Sequence, residues 1–210
     1  MKQKIIILAL TLAVIALTVI LVSRPKYYIT NADRYIEQLG DYSQLQPSGE
    51  NDEANKILLL NQLIESTKFK TDKNGNEVLP QRELQKIIND TEKTDKENAE
   101  KYGVHFKTYI TRTTKMSYEE YEKNMNENAK IIVKQKLVVS AIKKKGKIKV
   151  SNKDIKNFKD NYLKTAGISD EDFEKEYGDS FENIYGKDNI RYEILVQKVQ
   201  DYLLEKSEKS

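Results

Sequence analysis

SYEEYEKNMNENAKIIVKQKLVVSAIKKKG, Ser117 to Gly146, is the stretch on which the fold turns. Tyr121, Met125, Ala129, Ile132, Val133, Val139 and Ile142 recur at steps of three and four, the period of one helix face. Ser117 stands three residues before Glu120, so the serine oxygen can accept a free backbone N–H while the acid reaches back to the serine's own. Gly146 stops the run. A helix of this length spans roughly 40 Å. It carries few apolar residues for that length. A narrow greasy stripe on a long rod predicts an open, elongated arrangement with grooves between helices.

The same device recurs downstream. Ser151-Asn-Lys-Asp154 opens a helix carrying Ile155, Phe158 and Tyr162, ended near Gly167. Ser169-Asp-Glu-Asp172 opens a short one with Phe173 and Tyr177, ended by Gly178. A last helix runs from about Asp188 through Ile190, Ile194, Leu195, Val199, Tyr202 and Leu203. Lys147 to Val150 reads as extended. Upstream, Ile57, Leu58, Leu60, Leu63 and Ile64 form a stripe beginning near Asp52. Asn74-Gly75 marks a turn. Pro80 suits a helix start, where its missing N–H costs nothing. Leu84, Ile87, Ile88 and Ala99 continue that helix to Tyr102, with Gly103 as a left-handed cap. A short helix carries Phe106, Tyr109 and Ile110. With three prolines and eight glycines in 210 residues, the chain lacks the turns a β-sandwich needs. The expected fold class is all-α.

At the other end of the chain, Ile5 to Val22 is IIILALTLAVIALTVILV, without a charge. As a helix it would rise ~27 Å, about one hydrocarbon core. Lys2 and Lys4 precede it, which suits a cytoplasmic N-terminus. A cleaved signal peptide is the competing reading. Val22-Ser-Arg-Pro25 offers no small-x-small cleavage site, and the apolar run is long for a signal peptide. The expected organisation is therefore a cytoplasmic N-terminus over 1–4, a transmembrane signal-anchor helix over 5–22, a tether over 23–50, and a helical domain over 51–206. The body is expected on the outer face of a single-pass cell membrane.

Composition excludes several chemistries. There is no cysteine, hence no disulfide and no thiolate metal site. The single histidine, His105, lacks the partners a catalytic group needs. No glycine-rich phosphate loop is present, and no cofactor is implied. The formal charge of +3 is near balance. It is unevenly laid out: nine lysines and no acid lie between Asn128 and Lys153, and seven acids against one lysine between Asp170 and Glu182. Solvated helix faces explain this simply. Contact of the lysine-rich 130–153 stretch with anionic lipid is the functional alternative. Scarce arginine and sparse aromatics there argue against nucleic acid. Thirteen tyrosines, several beside apolar stripes, offer contact area at small entropic cost.

From Leu59 to Glu205 the chain resembles the C-terminal, substrate-holding domain of trigger factor, the bacterial nascent-chain chaperone. Leu79-Pro80, the helix ending Ala99-Glu-Lys-Tyr-Gly103-Val, Met116-Ser-Tyr-Glu-Glu-Tyr121, Val133-Lys-Gln-Lys-Leu137-Val-Val, Val150-Ser-Asn-Lys-Asp-Ile155 and Ile194-Leu-Val-Gln-Lys-Val199-Gln-Asp-Tyr-Leu203 follow in the family's order. Leu39-Gly-Asp-Tyr42 is similar to the segment that introduces the family's isomerase domain. Parvulin-type surface foldases of Gram-positive bacteria use a related helical framework. The resemblance departs in two places. The ribosome-docking domain gives way to the apolar N-terminal run. Between Tyr42 and Asp52 there is no room for an FK506-binding-type prolyl isomerase.

The resemblance thus implies the holdase arm alone, with no enzyme activity. The expectation is an ATP-independent module that rests unfolded or newly secreted polypeptides in an interhelical crevice. Tyr121, Met125, Ile132, Phe158, Tyr162 and Tyr192 are the candidate client contacts. A tethered scaffold for one folded partner and a prolyl isomerase are the competing readings.

Overall fold

The computed structural model describes residues 31–208, and these form an all-α body with one small two-stranded sheet. In chain order the helices are α1 (Asp52–Ser66), α2 (Gln81–Lys101), α3 (Phe106–Thr114), α4 (Tyr118–Lys145), α5 (Asn152–Ala166), α6 (Asp170–Tyr177), α7 (Phe181–Tyr185) and α8 (Lys187–Ser207). The expected anchor over 5–22 lies outside the described residues. Among the described residues no helix is long and apolar enough to cross a membrane.

Local chemistry sets the helix ends. Ser117 and Ser151 each accept the backbone N–H three residues on, and Glu120 and Asp154 return the bond to the serine N–H. Ser169 accepts from Asp172 N–H, but the Asp172 carboxylate takes the serine hydroxyl rather than its backbone. Gly167 and Gly178 close α5 and α6 at φ +69° and +77°, a region that a Cβ makes costly. At Thr71–Asn76 the Asp72 carboxylate accepts from the Asn74 and Asn76 N–H groups, holding the expected turn.

Two apolar centres organise the helices. The larger joins α1, α4 and the C-terminal part of α8 around Leu59, Leu63, Val133, Leu137, Leu195 and Val199, with the stem of α2 packed on it. The smaller gathers Leu163, Phe173, Phe181, Ile190 and Ile194 from α5 to α8.

The segment expected as a tether is partly structural. Ala32 and Leu45 are buried in the larger centre. Strand β1 (Ile36–Gln38) pairs antiparallel with β2 (Lys68–Phe69). Gly40 N–H donates to Thr67 Oγ1 at 3.1 Å. The packed body therefore takes in residues 32–45 ahead of α1, because strand pairing and two apolar side chains fasten that segment to α1. Lys147 to Val150 follows α4 without joining any strand.

The register of α4 against α8 gives the architecture its direction. Lys136 faces Tyr192, and Gly146 lies against the Tyr202 ring. Ten residues separate the two positions on each helix, so α4 and α8 run side by side in the same direction. Two groups of helices, or arms, pack on this pair. One is α2, α3 and the first half of α4. The other is α5, α6 and α7 on α8, with α5 lying along Ile194 to Asp201. α1 packs on both α4 and α8, so these three helices join the two groups.

Candidate functional site

Four of the six candidate contacts remain partly accessible, and two do not. Met125 and Ile132 are half-buried on α4, and Phe158 and Tyr162 half-buried on α5. Ile132 and Met125 precede Lys136 by four and eleven residues, spacings that keep them on one helix face.

Tyr121 is buried where α2, α3 and α4 meet. Its hydroxyl donates to Asp95 Oδ2 at 2.7 Å, and its ring meets Phe106 edge-on. Burial and the neighbouring carboxylate push its hydroxyl far above the ordinary tyrosine value. Tyr192 is 7 % exposed on α8, where its ring faces Lys136 of α4. These two side chains hold the framework together, and an apolar period alone does not separate such positions from accessible ones.

Phe158 and Tyr162 line an open groove of about 450 Å³ between α5 and α8. Asp154 pairs with Lys198 at 2.9 Å, which sets α5 antiparallel to α8. Phe158 and Tyr162 then come opposite Ile194, giving the groove an apolar floor. Asn157, Asn161 and Gln197 supply side-chain amides along its walls. Ions close one end: Lys198 with Asp154, and Asp201 with Lys56 at 3.0 Å. The Ser151 N–H and then Lys198 hold the Asp154 carboxyl down to about 2. It is ionised at any physiological pH, and the groove end is a fixed charge pair.

Behind the floor, the Tyr162 hydroxyl meets that of Tyr185, and its ring packs on Phe181 with centroids 5.0 Å apart. One face of Tyr162 therefore belongs to the smaller apolar centre while its edge lines the groove. An amide-rimmed apolar trough suits an extended polypeptide. Amides can satisfy a guest's backbone groups, and the floor takes side chains without demanding one shape. Sequence reasoning did not single out Asn157, Asn161, Ile194 or Gln197 as groove residues. Their positions on the two facing helices emerge only once the Asp154–Lys198 pairing fixes the register.

The arms expose further apolar groups. Tyr102 is 74 % exposed and stacks on Tyr109 at the far end of the first arm. Ile184 and Tyr177 are exposed on the second. The lysine-rich stretch is less free than its composition suggests. Lys130, Lys134 and Lys144 pair with Glu127, Glu77 and Asp33, and Lys136 is buried.

The sequence matches the family described as bacterial trigger factor protein C-terminus over residues 36–205, most of its length. The chain belongs to that family. The match begins at Ile36, inside the segment that the fold fastens to α1. The trigger factor C-terminus is the chaperone module and not the isomerase domain. Neither the curated proteins nor the solved structures provide a match.

Proposed function

We propose that the chain is a membrane-anchored, ATP-independent holdase for unfolded or newly secreted polypeptides. Family membership supports a chaperone-like, peptide-binding role. The single observation that carries the finer reading is the groove between α5 and α8, with Phe158, Tyr162 and Ile194 beneath a rim of side-chain amides. Weak contact spread over such a surface suits a holdase, since tight binding would prevent release. The charged residues around it keep a loaded complex soluble.

The uncharged run Ile5 to Val22 supports the anchor. The exposed lysines Lys145, Lys147, Lys149 and Lys153 follow the Asp33–Lys144 pair, close to where the chain leads back to that run, and would face anionic headgroups. Protease treatment of cells stripped of their outer wall tests the topology. Degradation of the body without lysis is expected, and full protection until lysis would refute an outer location. For the groove, a photo-crosslinking residue at Asn161 should capture a denatured client and ignore the same protein once folded. Equal capture of both would remove the groove from the account.

A further inference from the structure

Where α4 and α8 finish side by side, with Gly146 against the Tyr202 ring, tyrosine and lysine gather. The Tyr42 and Tyr202 rings meet edge-on with centroids 6.0 Å apart. The Lys145 ammonium lies 4.6 Å from the centroid of the Tyr42 ring, and the Lys206 ammonium 5.4 Å from that of Tyr202. Lys144 pairs with Asp33, and Lys147 and Lys149 are exposed just beyond. Two further acids stand close: Asp41, which accepts from the Ser43 N–H, and Glu205 beside Tyr202. Cations outnumber acids among these groups.

The tyrosine end is also the part of the body held nearest to the uncharged run. Nine residues lead from Val22 to Asn31, a reach of roughly 30 Å at full extension. The chain then enters the body at Ala32–Arg34, where Asp33 meets Lys144. Tyr118, at the far end of α4, lies 27 residues of helix from Lys145, roughly 40 Å. Charge is laid out along α5 in the same sense. Lys147, Lys149 and Lys153 stand at its start, and the seven acids between Asp170 and Glu182 stand beyond its end. The helix between them has 15 residues and spans roughly 22 Å. Tyrosine rings settle at headgroup level in a bilayer, and lysine stems carry their ammonium groups to the phosphates. An anionic surface attracts the lysine end. It repels the other on any tilt that brings those acids within a Debye length.

We propose that the body stands on an anionic phospholipid surface by its Tyr42–Tyr202 end, with α4 and α8 rising from the bilayer and Tyr118 held away from it. The orientation gives the α5–α8 groove a direction. Asp201, at the end that the ion pairs close, immediately precedes Tyr202, so that end faces the lipid. The end near Thr165 opens away from the bilayer, and a client enters there. The assignment rests on the membrane-anchored reading and adds to it a docking face and its lipid partner.

The test uses the full chain in nanodiscs of phosphatidylcholine with phosphatidylglycerol. The chain has no cysteine, so Gln44→Cys beside Tyr42 and Tyr102→Cys at the far end of the first arm each give a unique site for a donor dye. Energy transfer is measured to an acceptor on the lipid headgroups. Transfer from Gln44→Cys should exceed that from Tyr102→Cys severalfold. The excess should shrink when Lys145→Glu and Lys206→Glu are added, and also in discs of phosphatidylcholine alone, where no variant has to fold. Equal transfer from the two sites in a chain held by the discs would overturn the orientation and leave the anchor standing. An excess that is the same in neutral discs and in the glutamate variant would overturn the part given to the lysines. A chain that does not enter the discs would overturn the anchor and the orientation with it.

Discussion

Tyr121 donates its hydroxyl to Asp95 across 26 residues of sequence, tying the first turn of α4 to α2. Among the described residues no cation pairs with that carboxylate, and the neighbouring Lys96 is engaged by Glu92 at 2.7 Å. Burial raises the Asp95 carboxyl above its ordinary value, and the tyrosine bond offsets this only in part. The folded state thus favours the protonated acid more than the unfolded chain does. Stability from this group rises as pH falls through the folded value toward 3.8, and is lacking above it. Asp95→Asn should remove that pH dependence and raise the melting temperature at neutral pH. Tyr121→Phe should cost about 1–2 kcal/mol by leaving the carboxylate without its donor. Thermal melts from pH 4 to 7.5 on both variants check the pair.

Lys136 predicts the opposite slope. Its folded value of about 8 lies below the ordinary 10.5, so folding disfavours the charged form. The penalty is fully present below pH 8 and is relieved as pH rises toward 10.5. At neutral pH, Lys136→Met should stabilise the fold by as much as ~3 kcal/mol, the upper bound set by that difference. The native chain should gain stability in urea between pH 8 and 10 while the methionine variant does not. A destabilised Lys136→Met at pH 7 would mean that the lysine is satisfied in a way the geometry does not show.

Gly40 has no room for a side chain. A Cβ there would run into Ser66 Oγ and lie 3.1 Å from both Leu63 Cδ1 and the Leu63 carbonyl. Gly40→Ala should cost about 1–3 kcal/mol by pushing the 32–50 segment off α1. Limited proteolysis should then cut within that segment before it cuts α1. Unchanged protection would show that the segment is not held by this approach.

The helices were legible because their punctuation is chemical and local. Ser117, Ser151 and Ser169 mark starts, and Gly167 and Gly178 mark stops, without reference to anything distant. The strand pair was not legible. Two or three residues carry no period, and Ile36 meets Phe69 only because α1 turns the chain back between them. For the same reason Ala32 and Leu45 looked like tether. Lys136 was read as one of a solvated run, yet it sits three residues beyond Val133 and seven beyond Ala129, on the buried stripe. That spacing was the available signal, and its charge masked it. Of the candidate contacts, Phe158 and Tyr162 line the groove while Tyr121 and Tyr192 are framework. A stripe of tyrosines at helical spacing does not say which of them a neighbouring helix will cover.

The central claim is that the body rests unfolded chains on the α5–α8 groove without nucleotide. The direct measurement is light scattering of a chemically denatured client diluted into buffer with residues 31–208. The account predicts suppressed aggregation near equimolar ratio without ATP, with the loss of most of that effect in Phe158→Ser at unchanged melting temperature. No suppression at several-fold excess, or full suppression by the folded Phe158→Ser variant, would contradict it.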